Sequence, residues 1–261
     1  MNDQIFLLAV TLFGLVIGSF ISMLSWRMPR IMELDGREQL KSISLGGSKC
    51  PKCQNPIPWT RLIPVISWLI SKGKCHHCHT AISARYPLIE LSSGLLMLVT
   101  FALLGNTLEA WLTALLALWL LTISIIDFEH KLILDNLSLP LVWLGLLINT
   151  QGFFASPQDA IFGAAVGYMS LWTIYQIHHL LTGREGMGFG DFKLTAALGA
   201  WLGVMALPQV IVIAAVTSLV ISLGLMLMKK QAWQQEMAFG PFLALGGLVS
   251  LFLIQLGWQI I

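Results

Sequence analysis

The chain has 261 residues, of which 56% are hydrophobic and only 11% charged, with a mean hydropathy of +0.79. Soluble domains carry roughly 25% charged residues, so the composition excludes a soluble globular protein and points into the lipid bilayer. The net charge of +2 is too small to mark a nucleic-acid partner, and none is expected.

In chain order, eight apolar runs approach the length of about 17–25 residues that a bilayer span needs. They cover 4–25, 87–104, 109–126, 136–152, 158–181, 192–207, 209–228 and 239–260. The expected fold is an all-α polytopic membrane protein of about eight transmembrane helices, with a hydrophilic loop after the first. The expected domains are a first transmembrane helix (1–25), a hydrophilic loop domain (26–86) and a seven-helix transmembrane domain (87–261). Two spans are weak: 192–207 is short, and Pro208 alone separates it from the next. The first run opens on "MNDQ", acidic rather than basic, and meets no small-x-small cleavage site before Arg27. It therefore reads as a retained helix rather than a cleaved signal.

Charge placement orients these spans. Ten of the 15 Lys and Arg residues fall in 26–86: Arg27, Arg30, Arg37, Lys41, Lys49, Lys52, Arg61, Lys72, Lys74 and Arg85. With eight spans the other five, Lys131, Arg184, Lys193, Lys229 and Lys230, all fall on the same side as that loop. The opposite connections, "GNTLE", "TQGFFASPQ" and "LPQ", hold none. The positive-inside rule then places the loop in the cytoplasm and both termini outside.

All four cysteines lie in that loop, as "CPKC" (Cys50, Cys53) and "CHHC" (Cys75, Cys78), with 21 residues between the pairs. Two CxxC knuckles at this spacing are the pattern of one tetrahedral zinc site, each knuckle supplying two thiolates. The alternatives are disulfides, which a reducing cytoplasm disfavours, and a redox pair, for which no βαβ pattern is present. Four thiolates fill the coordination sphere, so the zinc is structural. His76, His77 and His79 are spare candidate ligands.

Among the 13 acidic residues, Asp3, Glu109 and Asp159 sit at outer helix ends. Glu33, Asp35 and Glu38 belong to the loop, and Glu185 and Glu236 read as hydrated. Glu90 follows Arg85 by five positions, which suggests an ion pair at the cytoplasmic edge. Ionisable groups within spans are costly and are commonly functional or paired. Asp127 ends "LLTISIID" at the cytoplasmic end of the third span, and Asp191 begins the sixth on the same side. Either alone could be an ordinary interfacial carboxylate. As a pair at similar depth they can share one proton and act as acid and base together.

Asp191 closes "GREGMGFGD" (183–191), four glycines in nine residues. The run is neither GxxxxGK[ST] nor GxGxxG within a βαβ unit, which excludes the common phosphate-binding loops. Bare backbone before the aspartate leaves room for a second backbone, such as an extended peptide, to approach, and irregular chain at this depth belongs beside a cavity. Lys193 reads as a snorkelling cation.

"GMGFGDFKL" (186–194) resembles the GxGD motif of the aspartyl intramembrane proteases, the class that includes presenilin. The chain as a whole resembles the type IV prepilin peptidases. The supporting stretches are "GSFISMLSWRMP" (18–29), the two knuckles, "IPVISWL" (63–69), "ARYPLIEL" (84–91), "IDFEHKLILDNLSLPLVWLGLLIN" (126–149), "GAWLG" (199–203) and "FGPFLALGG" (239–247). Two places depart from the family pattern: "ILD" stands where "LPD" is usual, and "LIP" (62–64) where "NIP" is often seen.

The resemblance implies a bacterial inner-membrane endopeptidase. It cuts the basic leader from prepilins or pseudopilins, the subunits of type IV pili and type II secretion systems, after a glycine at the cytoplasmic face. Many members then N-methylate the new terminus, often Phe, from S-adenosylmethionine. By motif position the catalytic aspartates map to Asp127 and Asp191, and Asp135 matches the aspartate of "LPD". The only sizeable non-membrane segment, 26–86, is expected to contribute to S-adenosylmethionine binding, with zinc holding its shape. The expected partners are prepilin substrates and membrane lipid. A proton-coupled transporter with a structural zinc loop is the alternative class.

Overall fold

The computed structural model describes residues 3–32, 38, 41–42, 47–183, 188–228 and 237–258. Glu33, Asp35, Arg37, Arg184, Glu185, Gly186, Lys229, Lys230 and Glu236 lie outside the described residues. Helices stand at all eight expected places: α1 (Asp3–Arg27), α2 (Arg85–Leu104), α3 (Leu108–His130), α4 (Asp135–Asn149), α5 (Pro157–Thr182), α6 (Phe189–Leu202), α7 (Leu207–Leu227) and α8 (Gly240–Gln255). Among the described residues, 5 helices are long and apolar enough to cross a membrane: α1, α2, α3, α5 and α7, while α8 is shorter but apolar. The remaining two, α4 and α6, have 15 and 14 residues. The chain forms two compact units, Met1–Leu118 and Trp119–Ile261, dividing within α3.

In the first unit α1 and α2 lie side by side. The buried residues of α1 recur one turn apart at Val10, Gly14, Gly18, Ser22 and Ser25, a stripe of mostly small side chains at the spacing that lets two helix backbones close up. A Cβ on Gly18 would stand 2.6 Å from the Glu90 Cα, and one on Gly14 would stand 2.7 Å from the Met97 side chain. The closeness is used: the Ser93 hydroxyl donates to the Gly14 carbonyl at 2.7 Å. The opposite face of α1 exposes Ile5, Leu8, Leu12, Val16 and Phe20, as a lipid-facing surface does.

Arg85 and Glu90 take different partners from those expected of an ion pair. The Arg85 guanidinium donates to the Ser22 carbonyl and the Ser25 hydroxyl. The Glu90 carboxylate, buried on α2, accepts from the Val65 N–H at 2.7 Å. Val65 has φ +60 and precedes the short helix Ile66–Ile70. Glu90 thus ties the hydrophilic loop down onto α2.

The second unit is built around α6, of whose 14 residues eleven, from Asp191 to Leu202, are buried. Three neighbours bring glycines against it. A Cβ on Gly163 of α5 would run into the Gly199 carbonyl, and one on Gly167 would stand 2.6 Å from the Thr195 carbonyl oxygen. Gly145 of α4 faces Trp201, and Gly247 of α8 faces Leu198, each with no room for a side chain. Polar contacts fix the far end of α6. The fully buried Asn149 side chain donates to the carbonyls of Ala200 and Trp201, each at 2.8 Å, and accepts from the N–H groups of Phe154 and Ala155. The Trp201 indole donates to the Leu141 carbonyl at 2.9 Å. Asp159 belongs to a helix cap: the Ser156 hydroxyl accepts from its N–H and donates to its carboxylate, stabilising the start of α5.

If the glycine contacts set the spacing around α6, Gly163→Ala should destabilise the protein by about 1–3 kcal/mol, the usual cost of overpacking. Gly224→Ala on α7, where nothing lies within 4 Å of the new Cβ, should be neutral or slightly stabilising, because Ala is the better helix former. Thermal unfolding in detergent, followed by tryptophan fluorescence, compares the two; equal midpoints would remove the packing role of Gly163.

Candidate active site

Asp127 lies in the last turn of α3 and Asp191 in the first turn of α6. Both are buried, at 5% and 8% exposure, and their side chains are near enough for the charge of Asp127 to act on Asp191. The second unit therefore brings together the two carboxylates singled out by topology. Asp135 stands apart from them. It opens α4, its side chain is 56% exposed, and it is paired with Lys193 of α6. Lys193 is thus an ion-pair partner linking α4 to α6 rather than only a snorkelling cation, and Asp135 is committed to it.

The glycines before Asp191 divide the work between them. Gly183, at φ +67, closes α5 in the left-handed conformation with its N–H bonded to the His179 carbonyl, a helix end that favours glycine. Gly190 packs internally: a Cβ there would stand 2.6 Å from the Ile133 Cβ. Gly188 faces open space, and the nearest atom to an added Cβ is the Asp191 carboxylate at 3.8 Å. Of the described glycines in the run, Gly188 alone keeps the free approach expected beside Asp191. Aromatic rings hold the start of α6 from the other side. Tyr175 of α5 contacts Phe189 and Phe192 at centroid distances of 5.4 and 5.7 Å, and stacks on His179.

Two site residues escaped the sequence reading. Ile133 lies between Gly190 and Gly240, its Cδ1 3.1 Å from where a Gly240 Cβ would be, so it spaces the beginnings of α6 and α8. The Gly240 N–H donates to the Asp127 Oδ2 at 2.9 Å. The available signal was the Gly-Pro pair in "FGPFLALGG", a helix start whose glycine leaves room for a neighbour.

In the first unit the four sulfur atoms of Cys50, Cys53, Cys75 and Cys78 all lie within 4.8 Å of one another, and Cys50 Sγ and Cys78 Sγ are 3.8 Å apart. A tetrahedron of zinc–sulfur bonds about 2.3 Å long has edges of roughly 3.8 Å, so the donor set fits that ion in size and chemistry. The two knuckles are built alike. The N–H of Cys50 bonds to the Asn55 carbonyl and that of Cys75 to the Thr80 carbonyl, while Gln54 and His79 return N–H bonds to Cys50 and Cys75. Gln54 and His79 occupy matching corners at φ 58 and 55. His79 thus has a turn-forming place, and the four-sulfur group is complete without His76, His77 or His79.

The thiols are prepared unequally. Hydrogen bonding with the Thr80 hydroxyl, then with its N–H, pulls Cys78 down to about 6. The N–H groups of Cys53 and Lys52 lower Cys50. Cys53, although the Asn55 N–H favours its thiolate, is pushed up to about 11 by burial and the neighbouring thiols.

Two family models match successive parts of the chain. Residues 12–104 match the bacterial peptidase A24 N-terminal domain, and residues 114–223 match the type IV leader peptidase family. A prepilin leader peptidase/N-methyltransferase of Stutzerimonas stutzeri is 41% identical across 96% of this chain and 91% of its own length. Proteins of the same description from Pseudomonas aeruginosa and Dickeya chrysanthemi are each 40% identical, across 94% and 97% of this chain and 90% and 95% of their own lengths. No solved structure matches.

Zinc must displace whatever protons the cysteines hold. Loading metal-free protein at pH 7 should therefore release protons, Cys53 contributing one. Affinity should fall as pH is lowered, and more steeply below about 6, where Cys78 also takes up its proton. Chelator competition between pH 5.5 and 8, with proton release followed in weak buffer, measures both. A pH-independent affinity would exclude a thiolate site.

Proposed function

We infer that this chain, which belongs to the type IV leader peptidase family, cleaves the leader of prepilins and N-methylates the new N-terminus, with Asp127 and Asp191 performing the hydrolysis. The observation that carries this reading is the convergence of these two buried aspartates from α3 and α6, in a chain whose relatives are prepilin leader peptidase/N-methyltransferases along nearly their whole length. Those relatives give no support to the transporter alternative.

A proton-sharing dyad accounts for the chemistry. The ionised aspartate takes a proton from water, and the resulting hydroxide adds to the carbonyl carbon of the scissile glycine. The protonated aspartate hydrogen-bonds the oxyanion, then passes its proton to the departing amine as the carbon–nitrogen bond breaks. Burial of both groups serves this, since fixed dipoles act strongly where water is scarce. A prepilin's basic leader held inside by its charge, with the apolar stem in the bilayer, brings the bond to the cytoplasmic boundary. That side is also where we place the dyad and the zinc loop in the bacterial inner membrane.

We assign Cys50, Cys53, Cys75 and Cys78 to one structural zinc and segment 26–86 to the domain it holds. S-adenosylmethionine supplies an activated methyl group for the second reaction, and the same domain contributes to its binding. Support for a separate site is that the cysteines and the aspartates lie in different units of the chain.

Asp127→Asn and Asp191→Asn should each abolish cleavage of a prepilin in detergent while zinc content stays unchanged, because an amide cannot exchange the shared proton. Asp135→Asn, which loses only the Lys193 pair, should keep more activity than either. The Asp127→Asn protein should still methylate a pre-cleaved pilin bearing a free N-terminal Phe, and a folded but metal-free cysteine variant should not. N-terminal sequencing and mass spectrometry read both steps. Substantial cleavage by either dyad variant removes that residue from the mechanism.

A further inference from the structure

The dyad mechanism leaves open which aspartate carries the charge, and the start of α8 supplies the answer. The first backbone N–H groups of a helix have no partner within it and seek acceptors outside. In α8, capped by Phe239, these belong to positions 239 to 242. Pro241 has no N–H. Those of Phe242 and Leu243 are both taken by the Phe239 carbonyl, at 3.0 and 3.1 Å. Of the residues within the helix this leaves Gly240, whose N–H is delivered to Asp127 Oδ2 at 2.9 Å. The approach requires glycine, because a Cβ at 240 would stand 2.7 Å from that oxygen. Among the described residues, no hydrogen bond reaches the carboxylate of Asp191.

The geometry points to Gly240 as a positioning residue whose N–H keeps Asp127 the ionised member of the dyad, making Asp127 the general base and Asp191 the proton donor. This rests on the dyad reading above. Helix ends pull the other way: Asp127 is in the last turn of α3, where the partial charge is negative, and Asp191 is in the first turn of α6, where it is positive. A direct N–H bond to a buried carboxylate is short-ranged and charge-assisted. It outweighs the diffuse field of a helix end, and it carries the positive end of α8 with it. Without Gly240 the proton would settle on Asp127 and the roles would exchange.

The test removes one hydrogen atom. Cell-free synthesis into nanodiscs with glycolic acid at position 240 replaces the Phe239–Gly240 amide by an ester, which deletes the N–H and adds no bulk. Cleavage of a prepilin peptide is then followed as kcat/KM against pH. The acid limb reports formation of the singly charged dyad, so loss of a donor to its charged oxygen should move that limb to higher pH by about one unit, with a corresponding fall of about tenfold in rate on that limb. Zinc content should match the amide protein, and the thermal midpoint should fall only modestly, since the ester also weakens the Phe239 carbonyl as acceptor for Phe242 and Leu243. An acid limb that stays in place, or movement confined to the alkaline limb, would show that the charge resides on Asp191 and overturn the assignment. Gly240→Ala, which displaces Asp127 sterically, should lower kcat with little change in KM; full activity there would equally refute the contact. Failure of the underlying dyad is seen separately, as cleavage surviving in Asp127→Asn or Asp191→Asn.

Discussion

Close approach of helix backbones around α6 is the constraint on which the second unit of the molecule depends. In hydrocarbon, lipid tails are as apolar as leucine, so helices gain little from hiding leucines from the solvent, and contact surface has to come from intimate packing. Gly145, Gly163, Gly167 and Gly247 supply it from three directions. Each removes a side chain where a neighbour's backbone or large side chain must come in. Because α6 is gripped on several sides and tied at its far end by Asn149, its first turn has little freedom. Asp191 inherits that rigidity, which suits the proton-sharing role proposed for it.

Much of this was legible in the sequence, for identifiable reasons. Hydropathy finds the helices because the bilayer imposes length and apolarity on each span. The short run at 192–207 read as weak for the same reason: α6 is enclosed by protein and answers to its neighbours rather than to lipid. The cysteine spacing announced a four-sulfur cluster because two knuckles bring it about locally. Asp127 and Asp191 could be proposed as a pair from their similar depth and from the GxGD resemblance. Their nearest supports could not, since backbone donors such as Gly240 N–H leave no mark on residue type. Pairings across long separations were equally hidden: Lys193 looked like a snorkelling cation until α4 brought Asp135 to it, and Glu90 looked like a partner of Arg85 until the loop returned Val65 to it.

The hydrophilic loop is organised by a different economy. It has little apolar core of its own, and its two knuckles are turns of the same build, each closed by two backbone hydrogen bonds of its first cysteine. Such turns place four sulfurs within reach of one ion while committing few residues. The Glu90 carboxylate and the Arg85 bonds to Ser22 and Ser25 then join this minimal fold to the α1–α2 pair, so the loop borrows from the membrane helices the rigidity it cannot generate alone.

The brevity of α4 has a consequence for the bilayer itself. Its 15 residues span about 22 Å at 1.5 Å per residue, against a hydrocarbon layer of about 30 Å. Unlike α6 it is not sheltered, since Trp143 and Leu147 point outward at 66% and 63% exposure. Lipids along this flank therefore meet a hydrophobic mismatch, which a membrane relieves by thinning locally at modest cost. The dimple forms beside the helix that begins eight residues after Asp127. Thinning beside α4 would bring headgroups and water closer to the last turn of α3, where Asp127 lies.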